Sequence, residues 1–139
     1  MPAKRAMLAA LYVTLVLAAA PAAVQAHHSF SMYDLPKTVT LTGTVRTFQW
    51  TNPHIIIWVD AATEGGSEPQ LWAVETSSPG LLTRAGWSRR SLQAGDKVVI
   101  EIAPLRDGSR GGAMKKVTVP ATGKVLTFDV LALDKPLIQ

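Results

Sequence analysis

The stretch TVTLTGTVRTFQW, residues 38–50, alternates with a period of two. Val39, Leu41 and Val45 fall on one face; Thr38, Thr40, Thr42 and Thr44 fall on the other. Residues 97–104, KVVIEIAP, repeat the pattern with Val98, Ile100 and Ile102. This periodicity constrains the fold most. Each such segment has one apolar face only as an extended strand, and that face must be covered by other strands. HIIIWVD (54–60) is a second strand, with Ile55, Ile57 and Val59 opposite His54, Ile56 and Trp58. LWAVET (71–76), AMKKVTVP (113–120) and KVLTFDVL (124–131) read the same way. Gly43 interrupts the first strand and predicts a bulge or a sharp coil there. TNP (51–53) and AGD (94–96) predict turns, residues 61–70 a hairpin loop, and RDGSRGG (106–112) a flexible loop.

One segment departs from the pattern. Ser78 is a candidate N-cap, Pro79 suits the first helical position, GLLTRA follows, and Gly86 ends the run. Trp87 is placed to pack at the end of this short helix. Three strands, a short helix and two or three further strands predict an all-β fold. The favoured architecture is a small OB-like β-barrel with the helix plugging one end, and the alternative is a β-sandwich. The chain has 139 residues, enough for one such domain. It has no cysteine, which removes disulfides, thiolate metal sites and cysteine nucleophiles.

Residues 1–26 are of another kind. Lys4 and Arg5 precede an apolar run over residues 6–20, then Pro21 and a small-residue end at Val24-Gln25-Ala26. This is the pattern of a secretory signal peptide, and the run is short against the ~20 residues of a membrane span. Cleavage after Ala26 is expected, leaving a single β-barrel domain over residues 27–139, periplasmic or secreted, with no stable membrane insertion. Lys4 and Arg5 leave with the leader, so the excess of 14 basic over 10 acidic residues shrinks. The remaining charge is small for a domain of this size and gives no nucleic-acid footprint.

Six phrases then stand in order along the chain: AHHSF, VTLTGTV, WTNPH, SPGLLTRAGW, SLQAGDKV and PLRDGS. Together they resemble a family of small exported bacterial proteins known only as a domain of unknown function. The resemblance spans residues 26–128. It implies export and an all-β domain, and it implies no activity.

The chain holds three histidines, and two of them, His27 and His28, are adjacent at the expected new terminus. If His27 is the first residue, its α-amine and Nδ1 form a chelate that a distant imidazole completes, and His54 is the one distant candidate. Alternatively the amine, the His28 amide and the His28 imidazole bind in a plane. Both modes favour Cu(II), then Ni(II), over tetrahedral Zn(II). Met32 offers a soft axial sulfur. The amine must lose a proton with a reference pKa of ~7.7–8.0, so affinity should fall as pH drops. The bland alternative is that His54 caps a loop and that the pair marks only a processing site.

Trp58 and Trp72 could stack a ligand on one barrel face or simply fill the core, and core packing is the favoured reading. Trp50 and Asn52, beside the TNPH phrase, are candidate ligand contacts. Arg84, Arg89, Arg90, Arg106 and Arg110 are expected to cluster around the helix and the late loop, with Arg89 and Arg90 as a candidate surface for an acidic exported partner. No G-x-S-x-G motif and no recognisable carboxylate pair is present. Glu75 and Glu101 read as barrel-facing or rim residues. The sequence therefore predicts a small exported binding protein and not an enzyme. It is a copper-binding accessory protein in the specific reading and a metal-free interaction module in the alternative.

Overall fold

The computed structural model describes residues 31–66 and 68–127. The elements run β1 (Val39–Gln49), β2 (Ile56–Thr63), β3 (Gln70–Glu75), α1 (Pro79–Arg84), β4 (Lys97–Pro104), β5 (Gly111–Val119) and β6 (Lys124–Thr127). β1 lies between β2 and β4, antiparallel to both. β3 continues from β2, and β5 from β4, also antiparallel. The ring closes where β3 runs parallel to β5 through Ala73↔Gly111, Val74↔Gly112 and Glu75↔Ala113. β6 extends the sheet from the free edge of β5. All six strands join one sheet, so the fold is the OB-like barrel and not the sandwich.

The period of two turns directly into a core. Leu41, Val45, Ile55, Ile57, Val59, Val98, Ile100 and Ile102 all point inward and are fully or almost fully buried. Each such side chain contributes about 1.5–3 kcal/mol relative to exposure. α1 forms where its local signals place it. The Ser78 hydroxyl accepts a hydrogen bond from the Leu81 N–H, Pro79 occupies the first turn, and Gly86 follows at φ 86°. The helix buries Leu82 completely against the barrel. Trp87 follows it into the core, its N–H donating to the Leu82 carbonyl at 2.9 Å and its Nε1 to the Thr127 carbonyl at 3.4 Å.

Local expectations change at the glycines, and the loop expected over residues 61–70 shortens because Ala61–Thr63 belong to β2 and Gln70 to β3. Pairing runs unbroken through Gly43, and the register shift falls between Val45 and Thr47. Glycine is required at 43 because a Cβ there would lie 2.1 Å from the Asp60 carbonyl oxygen and 2.6 Å from Ala61 Cα. Gly111 and Gly112 were expected in a loop but belong to β5 and form two of the three closing pairs. A Cβ on Gly112 would sit 2.5 Å from the Ala103 carbonyl oxygen, so the glycine lets β5 fit between β3 and β4. Of the expected last strand, Lys124–Thr127 is described, and the remainder lies outside the described residues.

Candidate functional site

β2 and β3 pair with Ile56 opposite Glu75. The pairing extends one step, with the Ile55 N–H donating to the Ser77 carbonyl and the Thr76 N–H to the Ile55 carbonyl. Ile55, Ile57 and Val74 face inward, so His54 and Glu75 both face outward as diagonal neighbours across the two strands. That diagonal is within reach of long side chains. His54 Nδ1 accordingly meets Glu75 Oε1.

A third residue arrives from before β1. The Arg106 N–H donates to the Met32 carbonyl at 2.9 Å and the Asp34 N–H to the Pro104 carbonyl at 2.8 Å. Tyr33 thereby bridges to Leu105 in antiparallel fashion. Its ring lies over Ala103 and Ala113, both small and both buried. Ala113 is the β5 partner of Glu75, so a ring crossing it brings the Tyr33 hydroxyl to Glu75 Oε2, to which it donates. Burial first, then the hydrogen bond to Glu75 and its negative charge, hold the Tyr33 hydroxyl above the ordinary tyrosine range. Tyr33 is almost completely buried, whereas 41% of the His54 side chain and 28% of the Glu75 side chain are exposed.

This arrangement defines the chemistry available to His54. The carboxylate accepts at Nδ1, which places the proton there and leaves the lone pair of the neutral ring on Nε2, the nitrogen with no protein partner among the described residues. A carboxylate behind an imidazole is also the usual outer contact of a metal-ligating histidine. Among the described residues no group of three histidine and acidic side chains is gathered to hold a metal alone, so His54 serves at most as one ligand of a set.

Residues 14–115 match a family of unknown function, DUF6152. The chain belongs to that family. No curated protein and no solved structure matches it.

The other candidates separate. His27 and His28 lie outside the described residues. Met32, next to Tyr33, is 48% exposed. Trp50 is a core residue, 8% exposed and edge-on to Phe48 at 5.6 Å, because the end of β1 turns it inward; its carbonyl accepts from Arg89 Nη1 at 3.2 Å. Asn52 is exposed, ahead of a cis bond to Pro53. Arg90 is exposed. The arginines do not form one cluster. Arg84, Arg89 and Arg90 belong to the segment before β4, whereas Arg106 and Arg110 follow it, with the eight-residue length of β4 between. Trp58 and Trp72 are both half-buried but face opposite sides of the sheet, Trp58 outward beside Gln49 and Trp72 inward with Val59, so they form no shared stacking platform. Glu75 and Glu101 both point outward, between buried neighbours, and Glu101 pairs with Lys116.

Tyr33 and Glu75 were missed as site residues. Glu75 carried one usable signal: a lone acid at an outward position of a strand otherwise free of charge. Tyr33 carried none, because only the closure of β3 against β5 brings it within reach.

Proposed function

We propose that this chain is an exported, non-catalytic binding protein that takes Cu(II) through the α-amine and imidazole of His27 together with Nε2 of His54. The observation that carries the reading is the Tyr33–Glu75–His54 chain of contacts. Glu75 fixes the tautomer and direction of His54. The Tyr33 hydroxyl is held on the same carboxylate. His27 stands six residues before Tyr33, which spans at most ~20 Å of extended chain. A tether of that length would raise the effective concentration of one binding group at another, as a short linker does. The local mode through His28 would need none of this geometry. The alternative, a metal-free interaction module docking through the Arg89–Arg90 turn, has Arg90 in its favour, while Arg89 is committed to the Trp50 carbonyl.

The test is a Cu(II) competition titration on protein recovered from the export compartment, its terminus established by intact mass. Affinity should exceed that of a free His-His-Ser peptide. It should fall on His54→Ala and collapse when one extra residue precedes His27. Equal affinity for protein and peptide would leave only the local mode and refute the folded site.

A further inference from the structure

A cleft lies at the barrel end where β2 and β4 finish, opposite the end that α1 closes. β3 pairs with β5 only from Ala73 onward, so Gln70–Trp72 are joined to β2 alone and the mouth stays open. The cleft, of about 300 Å³, fills the gap, lined by Lys37, Val39, Thr63, Trp72, Leu105 and Arg106 among others. That volume is at the lower end for small-ligand sites. Its walls are the half-buried Trp72 indole, Val39 and Leu105. Its rim is cationic. The Lys37 ammonium has no hydrogen bond or ion pair among the described residues. Arg106 donates Nε to the Ser31 carbonyl at 3.2 Å, and its Nη1 stands 3.9 Å from the single lining carboxylate, Asp34.

We propose that this cleft binds a small aromatic monocarboxylate, with its ring against Trp72 and its carboxylate on Lys37 and Arg106. The apolar walls call for a flat hydrophobic body, which an indole receives edge-on or offset. Two cations against one carboxylate match a single negative charge, and Asp34 disfavours a more highly charged anion. The proposal does not use copper: among the described residues, neither His54 nor Met32 lines the cleft.

The experiment is calorimetric titration of the purified exported protein with naphthoate and with uncharged naphthylmethanol. Naphthoate should bind saturably at one site per chain and roughly tenfold more tightly than the alcohol, the scale of one charge-assisted hydrogen bond. Lys37→Gln, an exposed change that spares the core, should remove most of that preference, and Trp72→Leu should weaken both ligands. The proposal is overturned by an absence of saturable binding, by equal affinity for the two probes, or by a Lys37→Gln variant that retains the full preference.

Discussion

Replacing Tyr33 by phenylalanine removes one hydroxyl and leaves the ring on Ala103 and Ala113. The lost bond runs to a carboxylate, a class worth about 1.5–3 kcal/mol. Glu75 keeps its contact with His54 and part of its solvent exposure, so water can replace the donor, and the expected loss is at the lower end, about 1–2 kcal/mol. For a domain of about 100 residues that lowers Tm by roughly 5–15 °C. The pH dependence reports the burial of the hydroxyl and its bond to Glu75 together. Burial and Glu75 raise the folded pKa of Tyr33 above the ordinary value of 10.0. Its contribution is therefore complete below pH 10 and is lost as pH rises beyond it, where the unfolded chain ionises first. Urea unfolding of both proteins at neutral pH and again above pH 10 should show a stability gap that narrows at high pH. A Tyr33→Phe protein as stable as its parent at neutral pH, or a gap that persists unchanged above pH 10, would refute the Tyr33–Glu75 argument.

Gly43→Ala should cost about 3 kcal/mol or more in denaturant unfolding, because its Cβ meets rigid backbone on β2 and not a side chain that can move aside. Ile100→Ala, in the centre of β4 and fully buried, should cost about 2–5 kcal/mol by the same assay. Glu75→Gln should weaken Cu(II) binding by about 10- to 100-fold in the competition titration, since the imidazole loses its orienting carboxylate. Arg46→Ala should change stability by less than about 1 kcal/mol, because the Arg46–Asp60 pair is solvent-exposed.

Several features of this protein were legible from local chemistry alone. Inward Leu41, Ile57 and Ile100 follow from alternation, because a strand exposes successive side chains to opposite faces whatever its partners are. The helix follows from Ser78, Pro79 and Gly86, whose capping preferences act within a single turn. What the alternation does not contain is which edges meet. The parallel closure of β3 on β5 joins segments separated by α1 and all of β4, and the closing Gly112 can also lie against β4 only because it has no side chain where Ala103 passes. The same glycine that reads as a loop residue is a condition for closing the barrel.

The candidate site divides along the same line. His54 stood out because the chain has so few histidines, and its outward direction follows from strand parity. That a carboxylate stands behind it, and that a tyrosine 42 residues before Glu75 grips the same carboxylate, was decided by tertiary structure. Strand parity is a property of neighbouring residues and is carried by the sequence itself. The meeting of Tyr33, Glu75 and His54 is a property of register and closure, which the buried faces select only once all the strands have assembled.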